Sequence, residues 1–314
     1  MSETQPEAAD GGGLDRIRQI VIVGAGAMGS QIGMICALAG FEATVTDLQA
    51  DALDRAEQQL RQRLTRDVEK GRRTAGDVDT AFGRLAFSTD LAAAAGSADY
   101  VIEAAVEKLD VKRQLFADLD RLAPAHAILA TNSSSIVSSR IADATGRPDR
   151  VCNLHFFNPA LVMQCVEVVR GPDTSDRTVE TSVALARRLG KTPVVLDREI
   201  PGFIANRILG AVRDEAIFLL EHGIASVPDI DTACRTALGY PMGPFELMDL
   251  TGIDIGYYTK LDRFAVSGDP KDQPSQSVSA LVQRGELGRK TGRGWYDYDQ
   301  AGTKTPRPKE QVTS

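Results

Sequence analysis

Four cysteines in 314 residues are too few and too scattered to build a fold around. Cys36, Cys152, Cys165 and Cys234 form no Cys-x-x-Cys pair, so neither a disulfide framework nor a zinc site is indicated, and no metal is expected. Basic residues are in deficit, with 36 Lys and Arg against 43 Asp and Glu and a net charge of −7. A nucleic-acid binder carries the opposite balance on at least one face, so that class is excluded and any anionic ligand must be met by locally placed donors. No apolar run reaches the roughly 20 residues that cross a bilayer. Residues 1–13 are polar, acidic and glycine-rich, without the basic start and apolar centre of an export signal. Internal repeats are absent. These absences predict a soluble, cytoplasmic protein with a disordered leader (1–14) and a disordered polar tail (299–314).

What is present is enough apolar surface, 43% of residues, for one large or two moderate cores. Ile20-Val21-Ile22-Val23 is a continuous apolar run of the kind buried on both faces of a parallel sheet. It leads directly into Gly24-Ala25-Gly26-Ala27-Met28-Gly29, then a helical stretch over 30–39, then a second strand ending at Asp47. Strand, glycine turn, helix, strand and an acid about twenty residues on form the dinucleotide-binding fingerprint. Gly24 serves the tight turn, Gly26 lets a pyrophosphate reach the backbone, and Gly29 lets helix and strand pack closely. Asp47 is suited to the ribose hydroxyls and repels a 2′-phosphate, while Leu48 offers no arginine to receive one, so NAD is expected rather than NADP.

The charged segment 51–82 reads as a helical excursion from the sheet. Strands are expected at 100–105 and 127–130, a helix closed by Pro124 at 111–122, and a last strand at 193–196. The strand at 127–130 delivers Asn132-Ser133-Ser134-Ser135 to a carboxyl end, where open parallel sheets bind ligands. His155 and Glu167 each lie in a short apolar segment, and together they supply an imidazole base and a carboxylate to orient it. After 199 the texture turns helical, and Asn206 sits early in the first long helix, where asparagine is an indifferent interior residue. Tyr240-Pro241-Met242-Gly243-Pro244-Phe245 is read as helix punctuation, and the glycine-rich basic stretch 288–296 as a packed turn closing the domain. The fold class predicted is α/β: a Rossmann-type, doubly wound, mostly parallel sheet with a helical excursion (15–199), then a second, all-helical domain (200–298).

The glycine loop with Met28, Ile102-Glu103-Ala104-Ala105-Val106-Glu107, Asn132-Ser133-Ser134-Ser135, His155-Phe156-Phe157-Asn158-Pro159, Pro201-Gly202-Phe203-Ile204-Ala205-Asn206-Arg207 and Pro241-Met242-Gly243-Pro244 occur in that order. Over roughly residues 16–298 the chain thereby resembles the L-3-hydroxyacyl-CoA dehydrogenase family, most nearly its bacterial 3-hydroxybutyryl-CoA members. The resemblance implies His155 as catalytic base with Glu167 as its partner, Ser134 and Asn206 as substrate-orienting groups, and an acyl-CoA substrate. It implies cofactor contacts from Gly24, Gly26, Ala27, Met28, Gly29, Asp47, Asn132 and Asn158, with Glu103 and Lys108 lining cofactor and pantetheine. Arg66 and Lys70 become candidates for the CoA nucleotide, and a homodimer through the second domain is expected. Departures at Leu161-Val162-Met163-Gln164-Cys165, at Tyr240 and at Ser275-Gln276-Ser277 leave acyl preference open. The alternatives are the same chemistry on a carrier-protein-bound, dicarboxylic-acyl or sugar-acid substrate, or an NAD-binding protein without catalysis. Related dehydrogenases with a lysine base are disfavoured, because the helix near Gly202 offers Asn206 and Arg207 and no lysine there.

Overall fold

The computed structural model describes residues 13–308 and 311–312, without the side chain of 266. The expected leader lies outside the described residues except for Gly13 and Leu14, and Leu14 already opens a 3-10 turn, Leu14–Arg16. The chain divides into two compact units between Phe203 and Ile204, a few residues beyond the expected break.

In the first unit, β1 (Gln19–Val23), α1 (Ala27–Leu38) and β2 (Glu42–Thr46) make the opening βαβ turn. The charged excursion is a pair of helices, α2 (Ala50–Glu69) and α3 (Ala75–Gly83), before β3 (Leu85–Ser88). Leu53, Ala56, Leu60 and Leu64 give α2 one buried stripe at helical spacing. Its wet side carries the exposed pairs Asp51–Arg55 and Glu57–Arg61, which solvent screens. There follow α4 (Leu91–Ala95), β4 (Tyr100–Glu103), α5 (Leu109–Leu122), β5 (Ile128–Thr131), α6 (Ser139–Ala142) and β6 (Val151–Phe156). The unit ends with β7 (Cys165–Val169), α7 (Asp176–Arg188) and β8 (Thr192–Leu196).

The strands form one eight-stranded sheet in the order β3-β2-β1-β4-β5-β6-β7-β8. Every neighbouring pair is parallel except β6 and β7, which are antiparallel. The strand order reverses between β1 and β4, so the carboxyl ends of these strands open a crevice at the glycine loop. Ile20 and Ile22 pack into one apolar cluster and Val21 and Val23 into another, which is why β1 is apolar at consecutive positions.

The second unit is helical: α8 (Ala205–Glu221), α9 (Val227–Ala237), α10 (Pro244–Thr251), α11 (Ile253–Ser267) and α12 (Gln276–Gln283). Its core gathers Leu220, Phe245, Leu281 and Trp295. Two buried carboxylates tie it together. Asp231 accepts from the Phe245 and Glu246 amides and the Tyr296 hydroxyl, and Asp249 from the Trp295 and Tyr296 amides and the Tyr298 hydroxyl. A Cβ at Gly243 would stand 2.2 Å from Asp231 Cγ, and one at Gly294 would stand 2.0 Å from Asp249 Oδ1, so both glycine motifs are there for close packing.

The expected helical character of this unit holds, with one addition: β9 (Tyr296–Tyr298) and β10 (Lys304–Pro306) form an antiparallel hairpin at its end. One expectation is corrected. The tail from Asp299 is not disordered over its described residues: Arg307 donates to the Gly294 carbonyl and pairs with Glu286, and Val312 is wholly buried. The polar composition of 299–314 hid one apolar side chain and a glycine-turned strand pair. Among the described residues no helix is long and apolar enough to cross a membrane.

Candidate active site

The glycine loop takes the shape that its spacing predicts. Gly24 has φ of +109°, and a Cβ there would lie 2.6 Å from the Ala104 carbonyl oxygen. At Gly29 a Cβ would meet the Gly24 carbonyl at 1.9 Å, so helix and loop can touch only without it. Gly26 differs: nothing lies within 4 Å of where its Cβ would be. Gly26 is also the N-cap of α1, with no side-chain cap and no acid in the first turn. Uncapped amides beside an open glycine are a cradle for an anion. Ala27 is exposed there and Met28 half-buried. Asp47, at the end of β2, already accepts from the Ala25 amide at 2.8 Å and the Gln49 amide at 3.1 Å, and Leu48 beside it is 89% exposed. These residues fit the pyrophosphate and adenosine ends of a dinucleotide.

The antiparallel join is what brings an imidazole and a carboxylate together. Because β7 turns back along β6, His155 stands directly opposite Glu167 in register, and Nδ1 lies 2.8 Å from Glu167 Oε2. Both side chains are buried, at 7% and 1% exposure. An ionised carboxylate only accepts, so it fixes the proton on Nδ1 and leaves Nε2 with its lone pair. Phe157 meets the imidazole edge-on at 4.5 Å between ring centroids, and Phe203 lies at 5.4 Å. Asn132 Oδ1 accepts from the Phe156 amide at 2.9 Å and so fastens the end of the histidine strand. The loop beyond it, with Asn158 exposed, is held by Lys191, whose ammonium donates to the Ala160 and Met163 carbonyls at 2.6 and 2.8 Å. Burial, with the charge of Arg73, lowers the Lys191 pKa.

Ser134 is half-buried beyond the end of β5, and among the described residues its hydroxyl has no protein partner. Its carbonyl accepts from the Gly202 amide at 3.0 Å. The next residue, Phe203, is 1% exposed and the one non-glycine with positive φ among the described residues, +49°. Its ring joins Val137, Val169 and Leu196 in a small apolar cluster. The first unit thus brings His155, Ser134, Asn132, Asp47 and the glycine loop to the carboxyl ends of β6, β5, β2 and β1, with Glu167 beside His155 on the antiparallel β7.

Other expected residues fare differently. Glu103 does not line an open surface: it is wholly buried, and its carboxylate accepts from Lys112 Nζ and the Ala105 amide, and from the Thr131 hydroxyl. Lys108 is exposed at the N-cap of α5, and Arg66 and Lys70 are exposed at the end of α2. Asn206 lies in the first turn of α8, half-buried within the second unit. Sequence reasoning missed Lys112, Glu107 and Asn153. Lys112 had a signal, since it shares one helical stripe with Phe116 and Leu119, where a solvated lysine does not belong. Asn153, two residues before His155, donates to the Ser133 and Ile136 carbonyls and accepts from the Ser138 amide. Among the described residues no group of three or more His, Cys, Asp or Glu is arranged to hold a metal ion.

Residues 19–200 match the family model described as 3-hydroxyacyl-CoA dehydrogenase, NAD binding domain, and residues 202–298 match its C-terminal domain. The chain is 40% identical to a probable 3-hydroxybutyryl-CoA dehydrogenase of Bacillus subtilis, over 90% of this chain and 98% of the relative. It is 41% identical to the human mitochondrial hydroxyacyl-coenzyme A dehydrogenase, over 90% of this chain and 91% of that one. The crystal structure of (S)-3-hydroxybutyryl-CoA dehydrogenase from Ralstonia eutropha superposes with a TM-score of 0.83 at 37% identity, covering 90% of this chain and all (100%) of that one. With both of its domains matched and the imidazole–carboxylate pair at the sheet's carboxyl edge, the chain belongs to the 3-hydroxyacyl-CoA dehydrogenase family.

Proposed function

We propose that this chain interconverts (S)-3-hydroxyacyl-CoA and 3-oxoacyl-CoA, with 3-hydroxybutyryl-CoA the preferred substrate, and that His155 is its general base and acid. The observation that carries this reading is the buried His155–Glu167 pair. Bound NAD supplies the hydride chemistry at C3. In the oxidative direction His155 Nε2 takes the proton of the 3-hydroxyl, and Glu167 stabilises the imidazolium that results. In reduction the same nitrogen returns the proton to the 3-oxo oxygen. Ser134 and Asn206 orient the substrate oxygens, giving hydrogen bonds that strengthen as charge develops. Phe157 and Phe203 keep water from the imidazole. Gly26 and the α1 N-terminus hold the pyrophosphate, Asp47 the ribose, and Asn132 and Asn158 the nicotinamide side; Arg66, Lys70 and Lys108 serve the CoA moiety. The protein works as a cytoplasmic homodimer through its second unit, a reading supported by the exposure of Ile208, Phe218, Ile255 and Tyr258.

The test is a spectrophotometric rate comparison across short, medium and dicarboxylic 3-oxoacyl-CoA substrates, the corresponding free acids and carrier-bound acids, with NADH and NADPH side by side. Turnover of acetoacetyl-CoA with NADH is expected to lead. A faster rate on a free or carrier-bound acid would replace the CoA assignment, and no turnover of any of them would remove the catalytic one.

A further inference from the structure

One face of α8 changes character halfway along the helix. Asn206, Arg213, Ala216, Ile217 and Leu220 share that face, because seven residues make almost two whole turns. In the second half the face is core: Ala216, Ile217 and Leu220 are buried in the apolar cluster of the second unit. In the first half it is polar, with Asn206 and Arg213 both half-buried. Gly210 stands between them, and nothing outside the helix backbone lies within 4 Å of where its Cβ would be. An amide and a guanidinium thus flank an open stretch, their Cα atoms about 10 Å apart along the axis.

Arg213 is set into the second unit without the partner that such a cation needs. Its Nε is buried with no hydrogen-bond partner among the described residues, and its Nη2 makes one long bond, 3.3 Å, to Thr251 Oγ1 at the end of α10. The neighbouring carboxylate, Asp214, is taken by Lys260 at 2.9 Å, and among the described residues no carboxylate pairs with the guanidinium. Burial lowers the Arg213 pKa, with the Asp214 charge opposing. A guanidinium nevertheless stays charged at any working pH, and one that is half-buried and short of acceptors calls for an anion.

Two sources of that anion differ in the side from which they would arrive. The exposed stripe Ile208, Ala211, Glu215 and Phe218, which includes the residues read as subunit contacts, lies on the opposite side of α8 from Arg213. A carboxylate of a partner subunit would have to reach round the helix. A substrate held at Asn206 is already on the right side.

We propose that Arg213 receives a carboxylate at the far end of the acyl chain, giving this protein a second substrate class, 3-hydroxyacyl-CoA thioesters with an ω-carboxylate, beside the short uncharged one. This rests on the reading of Asn206 as a substrate-orienting group. Hydrogen bonds of about 2.8–2.9 Å at the two ends leave about 4–5 Å of the roughly 10 Å span, the reach of a few methylene groups.

The experiment compares wild type, Arg213→Met and Arg213→Lys on acetoacetyl-CoA, 3-oxohexanoyl-CoA and 3-oxoadipyl-CoA, read by NADH oxidation. The last two are equal in chain length and differ in the end group. Wild type is expected to favour 3-oxoadipyl-CoA over 3-oxohexanoyl-CoA in kcat/KM by about tenfold or more, the value of a hydrogen bond to a charged group. Arg213→Met keeps a long stem and removes the charge, so it should erase that preference through KM while the two uncharged thioesters react as before. Arg213→Lys should retain part of the preference. Wild type without the preference overturns the proposal, whether or not the variants fold. An equal fall on all three substrates in Arg213→Met also overturns it, because the residue is then structural. So does a fall in molar mass by light scattering in Arg213→Met with the preference intact, which assigns the anion to a partner subunit. If wild type reduces acetoacetyl-CoA but does not distinguish the end groups, only this inference fails. If it reduces none of the three, the proposed function fails with it.

Discussion

His155 and Glu167 are partners across a strand pair, in direct register on β6 and β7, with Nδ1 and Oε2 2.8 Å apart. Backbone pairing sets the two residues opposite each other, and the Glu167 carboxylate with the Phe157 and Phe203 rings holds the imidazole's orientation. Replacing His155 with Gln should lower kcat about a hundredfold or more, the usual contribution of a positioned base, while NADH affinity holds. Glu167→Gln keeps the shape but removes the charge that favours the imidazolium, and should cost about tenfold or more. Steady-state kinetics with acetoacetyl-CoA check both, and wild-type turnover in His155→Gln would remove it from its role.

Two glycines of one loop should respond oppositely to the same methyl group. At Gly29 the added carbon meets the Gly24 carbonyl at 1.9 Å, so Gly29→Ala should destabilise the chain by about 1–3 kcal/mol, as overpacking does. Gly26→Ala meets nothing within 4 Å and should leave Tm unchanged while weakening NADH binding about tenfold or more, since the methyl fills the approach of the pyrophosphate. Thermal melts and NADH titrations of the two variants decide. Equal loss of Tm in both would show that the space over Gly26 is not a ligand's.

Burial, with the neighbouring charge of Asp231, pushes the Asp249 carboxyl up from 3.8 to about 6, against the pull of its three donors. A raised carboxyl pKa means that the folded state holds the proton more tightly than the unfolded one. Its contribution is complete below about pH 4 and is lost as pH rises through about 6, a span on the order of 3 kcal/mol. The single tryptophan, Trp295, is buried in the same unit and donates its amide to Asp249, so its fluorescence follows that unit. The urea midpoint read from Trp295 should therefore fall between pH 5 and pH 7, and Asp249→Asn should flatten that fall. A wild-type slope in Asp249→Asn would disprove the assignment.

Asp47 directly follows β2, with its carboxylate beside the glycine loop. Replacing it with Ser removes a charge that repels a 2′-phosphate, so the ratio of kcat/KM for NADPH to that for NADH should rise about tenfold or more. An unchanged ratio would place cofactor choice elsewhere.

The parts of this protein that read clearly in one dimension are those whose physics is local. Ile20 to Val23 are apolar because helices cover both faces of the sheet, and Gly24 and Gly29 are small because backbone crosses backbone within the same loop. The His155–Glu167 pairing was legible because a hairpin brings near neighbours together. Lys112 left a trace in its helical stripe, but its partner did not, since Glu103 sits on β4 and meets it only across the turn into α5. The same holds for Asp249, whose donors arrive from Trp295 and Tyr296, more than forty positions later. The tail was misjudged because composition averages over residues, and a single Val312 buried in the core outweighs its polar surroundings.

Phe203 combines a left-handed backbone with a ring packed on the imidazole. The backbone conformation costs roughly 1–2 kcal/mol for a residue with a Cβ, whereas fully burying a phenylalanine ring contributes about 1.5–3 kcal/mol. The corner therefore keeps its bend only while the ring stays inside. If the ring left, the chain would relax to an extended path and the histidine would be wetted in the same event. Bend and dryness are thus a single degree of freedom, and any residue that loosens one must admit solvent to the other.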